Sequence, residues 1–119
     1  MTFLLLIVEP VGQRAERGPE AGRELYEDML RYTDALQAEG VLRASSALLD
    51  TNEARRLEIR DGRRTVIDGP FAEAKEMVGG FFLIDVATRD DALALAARCP
   101  AAEWASVEVR ETGPCYLSS

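Results

Sequence analysis

Side chains that could take part in chemistry are concentrated in residues 68–80, which read DGPFAEAKEMVGG. The segment places Asp68, Glu73 and Lys75 around one aromatic residue, Phe71. A carboxylate in an apolar pocket can have its pKa raised and act as a base without any histidine. One interpretation is therefore a small-molecule pocket, in which Asp68 and Glu73 serve as hydrogen-bond acceptors or as a proton-transfer pair, with Lys75 as an anion anchor and Phe71 as an apolar wall.

The alternative for this segment is a structural turn. An Asp-Gly-Pro sequence is typical of turns, because Asp bonds a nearby backbone N–H, Gly allows unusual φ values and Pro fixes the next φ. Phe71 would then fill the core or a subunit interface, while Glu73, Lys75 and Glu76 would face solvent as a short helical turn. Runs of charged residues are usually solvated, so the pattern favours the turn over the pocket.

Asp85 is the other candidate ligand-binding residue, because it interrupts the apolar run GFFLIDV. It could be an acid buried within the fold. The interpretation we favour is a strand-end carboxylate paired with Arg43 or Arg110. Tyr32 and Cys99 lie on the apolar faces of two predicted helices, so both are expected in the core.

The composition excludes several kinds of site and partner. The chain has no histidine and two cysteines without ligand spacing, so neither a zinc site, a histidine-dependent triad nor any other cofactor is expected. The formal charge of −7 and the pI near 4.6 disfavour nucleic acid and anionic membranes as partners. The apolar run at residues 3–8 is too short to span a bilayer and no basic segment precedes it, so we expect a cytoplasmic protein.

The hydrophobic pattern predicts one domain over residues 1–119. Strands are expected at residues 3–8, 41–49, 80–86 and 104–110, a loop at 12–18, one helix from Pro19 to a Gly40 cap, and a second helix capped by Thr88. Asp61-Gly62 predicts a hairpin between residues 57–60 and 65–67, and the arginines around it are expected to be solvated. The order is that of a ferredoxin-like βαββαβ domain of the α+β class with an inserted β-hairpin.

This arrangement leaves one sheet face without helices. Residues 3–8 and 81–83 carry apolar side chains on both alternating sets, yet two helices on one side can cover only one set. An exposed apolar face of that size usually marks an interface, and two-fold self-association is the commonest outcome. We therefore expect a homodimer with its sheets packed face to face.

Three blocks of the sequence resemble the YCII-related family, specifically its DGPF-domain branch: MTFLLLIVEP, RDGRRTVIDGPFAEAKEMVGGFFLIDV and ALALAARCPAAEWASVEVRETGP. The resemblance covers nearly the whole chain and implies a dimeric α+β barrel. It implies little about function, although many members are encoded beside extracytoplasmic-function sigma factors. Some relatives carry a His and an Asp as a proposed active-site pair, and this sequence, with no His, cannot share it.

Two functional hypotheses follow. The first is a dimeric small-molecule-binding or regulatory accessory protein that recognises a small ligand or a partner protein. The second is a cofactor-independent enzyme that acts on a small organic substrate through carboxylate acid–base chemistry.

Overall fold

A computed structural model describes residues 1–117 of the chain. Six strands and three helices follow one another in the order β1 (Thr2–Pro10), α1 (Gln13–Arg17), α2 (Pro19–Ala38), β2 (Leu42–Ala47), β3 (Arg55–Arg60), β4 (Arg63–Asp68), β5 (Glu76–Asp85), α3 (Arg89–Ala97) and β6 (Ser106–Glu111). Short 3-10 turns lie at Thr51–Glu53 and Pro100–Glu103.

The main sheet is antiparallel, with the strand order β2-β5-β1-β6. Each helix-containing crossover joins a central strand to an edge strand, β1 to β2 and β5 to β6, as in the ferredoxin-like arrangement, so the predicted α+β fold class is confirmed. The hairpin β3-β4 forms a separate two-stranded sheet. It turns at Asp61 and Gly62, whose φ values of 52° and 75° are the left-handed conformations that the sequence predicted there.

The core lies between α2, α3 and one face of the main sheet. Phe3, Leu5 and Ile7 alternate along β1 toward the helices, and Phe82 and Ile84 pair with them from β5. Burying a large apolar side chain contributes about 1.5–3 kcal/mol, so these strand residues make a large contribution to the stability of the fold.

Both residues predicted to be core members are buried. The Tyr32 hydroxyl donates a hydrogen bond to the Leu95 carbonyl at 2.7 Å, and burial raises its pKa. Burial likewise raises the pKa of the Cys99 thiol, so this group remains a protonated, unreactive core thiol.

Three local predictions need correction. Residues 12–18 contain the helix α1 instead of a plain loop. Strand β5 begins at Glu76, earlier than predicted, because Glu76, Met77 and Val78 pair with the end of β1. Phe71 is only half-buried and lies outside the core cluster, so the turn does not direct it into the core.

Candidate functional site

A cleft of about 810 Å³ lies between α2 and the β2 edge of the main sheet. It exists because the facing positions carry little side-chain volume. Strand β2 contributes Ser45, Ser46 and Ala47, and helix α2 contributes Gly22, where an added Cβ would meet no atom within 4 Å. Ligand-binding clefts commonly have volumes of about 300–1,000 Å³, so this one is large enough for a small organic molecule.

The base of the cleft is an ion pair between Glu9 and Arg14. Glu9 is the last core-facing residue of β1 and is only 2% exposed, while Arg14 lies on α1. Arg14 Nε donates to Glu9 Oε1 at 2.5 Å, and its two Nη atoms donate to the carbonyls of Leu48 at 2.8 Å and Gly79 at 3.3 Å. The guanidinium is therefore held by three separate parts of the chain.

Two glycines make room for this ion pair. A Cβ at Gly79 would lie 2.3 Å from Glu9 Oε2 and 2.8 Å from Arg14 Nη2, and a Cβ at Gly80 would lie 3.0 Å from the Ser46 carbonyl. Gly79 is also the extra residue of a β-bulge, because Ile7 pairs with Gly80 and Val8 with Val78. The groups that approach Gly79 closely are therefore the two side chains of the Glu9–Arg14 ion pair.

The walls of the cleft are apolar. Helix α2 contributes Leu25, Tyr26, Met29 and Leu30, and the segment after β2 contributes Leu48 and Leu49. Tyr26 is 53% exposed and Leu30 is 45% exposed, and their spacing of four residues places them on the same face of α2. Exposed apolar residues that cluster around a concave surface usually mark a binding site.

Arg17 and Trp104 also line the cleft. The Arg17 guanidinium carbon stacks 4.7 Å from the centroid of the Trp104 ring, a cation–π contact. Gln13 Nε2 donates to the Trp104 carbonyl at 2.7 Å and thereby fixes α1 against the tryptophan.

The predicted loop residues lie elsewhere, at an exposed turn beside the hairpin. Asp68 pairs with Arg55 at 2.9 Å while its side chain is 76% exposed. Phe71 is covered by the Arg56 guanidinium, 3.7 Å from the ring centroid, and together with Glu73 these residues border an open surface groove. Lys75 and Glu76 are exposed, although the Lys75 carbonyl accepts a hydrogen bond from Val11 N–H at 2.9 Å.

Gly69 explains why this turn needs a glycine. A Cβ there would lie 1.8 Å from the Thr51 carbonyl oxygen, and the Gly69 N–H donates to the Ala54 carbonyl at 2.8 Å. Its φ lies outside the left-handed region, so the requirement is close backbone packing and not an unusual φ, contrary to the prediction.

Asp85 lies at the far end of β5 from the loop. Glu76 and Asp85 are the first and last of the ten residues of β5, which places them about 30 Å apart at the usual rise per residue. Asp85 accepts hydrogen bonds from the Met1 amino group at 3.2 Å and from Arg43 at 3.1 Å, and these two contacts lower its pKa. The favoured pairing with Arg43 is confirmed, and the structure does not bring Asp85 together with Asp68 or Glu73.

Sequence reasoning missed the whole base of the cleft. The signal for Glu9 was available, since it continues the alternation of Phe3, Leu5 and Ile7 on the buried side of β1. Arg14 could not be found in this way, because it belongs to a helix too short to show a hydrophobic period.

The fold and cleft together define a small α+β protein with a ligand-sized cavity at the edge of its sheet. The chain belongs to the YCII-related family, because the family model for the YCII-related domain matches residues 1–114. An uncharacterised protein of Rhizobium meliloti (strain 1021) is 41% identical over 71 residues, which cover 60% of this chain and 54% of that protein. The match thus spans about half the length of this relative. Among residues 1–117, no helix combines the length and apolar character needed to cross a membrane.

Proposed function

We propose that the protein binds a small organic molecule in the cleft between α2 and the β2 edge. The observation that carries the proposal is an apolar cleft of about 810 Å³ closed at its base by the ion pair of the buried Glu9 and the partly buried Arg14. Apolar walls around a few fixed polar groups are the usual composition of ligand sites. A regulatory protein partner, such as an extracytoplasmic-function sigma factor, would respond to the occupied state; only the family resemblance supports that part.

Binding is favoured over acid–base catalysis by the arrangement of the carboxylates. Asp68, Glu73 and Asp85 lie outside the cleft lining, and the single carboxylate that residues 1–117 contribute to the lining, Glu9, is hydrogen-bonded to Arg14. A general base must reach the proton that it removes, and the guanidinium already occupies one of the two Glu9 oxygens.

A thermal-shift screen of small organic compounds tests this function. A ligand at one hundred times its Kd stabilises a protein by about 2.7 kcal/mol, which raises the Tm by several degrees. Gly22→Phe places a ring in the cleft, whereas Ala21→Phe adds the same ring at the next, exposed position outside the lining. Ligands should raise the Tm of the wild-type protein and of Ala21→Phe but not the Tm of Gly22→Phe.

The same screen separates the cleft from the loop. If ligands raise the Tm of Gly22→Phe as much as that of the wild-type protein, the cleft is not the binding site. The predicted loop site remains a competing hypothesis, and it requires Asp68→Ala and Glu73→Ala to abolish the shift. If no compound in the screen raises the Tm of the wild-type protein, the support for a binding function is removed.

We also propose that two copies pair through the sheet face opposite the helices. That face carries Leu4, Leu6 and Val8 of β1 beside Phe81 and Leu83 of β5, all of them only half-buried within one chain. Light scattering should give twice the 13.1 kDa chain mass. Leu6→Arg should give monomers, whereas Leu93→Arg, at an exposed position of α3, should leave the dimer intact. A wild-type monomer would refute this pairing.

A further inference from the structure

The charges that line the cleft do not balance. The lining contains one carboxylate, Glu9, and two guanidiniums, Arg14 and Arg17, so its net charge is +1. The chain as a whole has a formal charge of −7. The lining thus has the opposite sign of charge to the chain as a whole. Close to the cavity, the positive lining attracts anions.

Arg17 is the group whose charge is not compensated. Arg14 is paired with Glu9, but Arg17 forms no ion pair with a carboxylate of residues 1–117 and stacks on Trp104 instead. The stacking covers one face of the guanidinium. Its N–H groups point outward in the plane of the guanidinium and stay available as donors.

Arg14 adds further donors that are already positioned. A guanidinium has five N–H groups, and Arg14 uses three of them, one on Nε and one on each Nη. One N–H therefore remains on each Nη atom. Because Glu9, Leu48 and Gly79 hold the group in place, a ligand that binds these donors does not need to order the arginine first.

We infer that the cleft binds a small organic monoanion, specifically a carboxylate with an apolar body. This inference rests on the proposed binding function and adds the ligand class. The planar carboxylate matches guanidinium donors in a bidentate geometry, and one negative charge offsets the net charge of the lining. The apolar body packs against Tyr26, Met29 and Leu30 on α2. Glu9 at the base disfavours a dianion, because a second negative charge would lie beside a buried carboxylate.

Three probes with one body and different head groups test the ligand class: phenylbutanoate, phenylbutanamide and phenylbutylamine. Near neutral pH they carry a negative, zero and positive charge. Calorimetric titration of the intact protein should show that the carboxylate binds about tenfold more tightly than the amide, and that the amine binds most weakly. Equal or tighter binding of the amide or amine would overturn the inference.

Substitutions at Arg17 assign the effect to a residue. Arg17→Gln should weaken binding of the carboxylate about tenfold and leave the amide unchanged, while Arg17→Lys should retain most of the carboxylate affinity. Arg23→Gln removes an exposed arginine of α2 outside the lining and should change neither. Equal weakening of carboxylate and amide by Arg17→Gln would also overturn the inference.

Failure of this inference differs from failure of the proposed function. If the compound screen finds cleft ligands that Gly22→Phe excludes, but the carboxylate probe has no advantage, the ligand class is wrong and the binding function stands. If the screen finds no cleft ligand at all, the function itself is wrong.

Discussion

The base of the cleft and the DGPF loop contain the same kinds of residue but are built differently. Each combines a carboxylate, an arginine and a glycine that tolerates no side chain. At the base, Gly79 makes room for the Glu9–Arg14 side chains, and the Glu9 carboxylate is buried while the Arg14 side chain is 31% exposed. In the loop, Gly69 makes room for the backbone at Thr51, while the Asp68–Arg55 pair lies in solvent.

This difference shows that charge and turn chemistry in a sequence do not reveal whether a group is buried. The loop is recognisable as a candidate site in the sequence because its charged residues are close together. The base is not recognisable there because Glu9 and Arg14 lie on two different elements and Gly79 lies on a third. Burial by several elements separates the two regions, and it also gives each substitution a different expected cost.

The largest effect is expected from Gly69→Ala. The added methyl group would lie 1.8 Å from the Thr51 carbonyl oxygen, so the backbone must move, and we expect a loss of about 3 kcal/mol of unfolding free energy. Urea denaturation measures the change. Gly113→Ala is the control, since its Cβ would meet no atom within 4 Å, and a similar loss there would contradict this explanation.

A smaller loss is expected when the carboxylates are neutralised. Glu9→Gln should cost about 2 kcal/mol, because it leaves the Arg14 charge partly buried without its partner. Asp68→Asn is the matched change in the loop and should cost less than about 0.5 kcal/mol, because exposed ion pairs contribute little. Denaturation of both variants at one salt concentration compares them directly, and equal costs would remove the distinction between the two regions.

The smallest effect should come from the exposed pair of Glu39 and Arg98, which provides a reference for solvent-exposed charges. Arg98 donates to both Glu39 oxygens, at 2.8 and 2.7 Å, and these hydrogen bonds lower the pKa of Glu39 below its ordinary value of 4.5. A lowered pKa in the folded state gives stability that is present above the unfolded-state pKa and is lost as the pH falls through the folded-state pKa.

The stability difference between wild type and Arg98→Gln should therefore be small near neutral pH and vanish in acid. Urea midpoints measured across a pH series report the difference. If it persists when Glu39 is protonated, Arg98 stabilises the fold through packing and not through its charge.

The strand order, helix faces and hairpin could be predicted because their signals are local and repeated. The spacing of Tyr32 and Leu36 predicts the buried face of α2, and Asp61-Gly62 predicts the turn of the β3-β4 hairpin. Thr88 was expected to cap α3, and its hydroxyl accepts from the Asp91 N–H at 3.1 Å.

The cleft could not be predicted because it forms where residues with small side chains, or none, face each other. In the sequence, Gly22 on α2 and the serines of β2 are isolated small residues, and none of them indicates a cavity. Only the packing of α2 beside β2 shows that they leave a shared volume. The burial of Glu9 follows from the β1 alternation, but the identity of its partner depends on where α1 returns to the sheet.

The position of Arg14 has a consequence for motion. The Gly79 carbonyl accepts hydrogen bonds from the Leu48 N–H, at 2.9 Å, and from Arg14 Nη2. Because Arg14 Nη1 also donates to the Leu48 carbonyl, the guanidinium links the two chain segments at the end of the β2-β5 pairing. A ligand that binds Arg14 would resist the local opening of that strand end. Amide hydrogen exchange at Leu48 should therefore slow when the cleft is occupied, although Leu48 N–H itself need not contact the ligand.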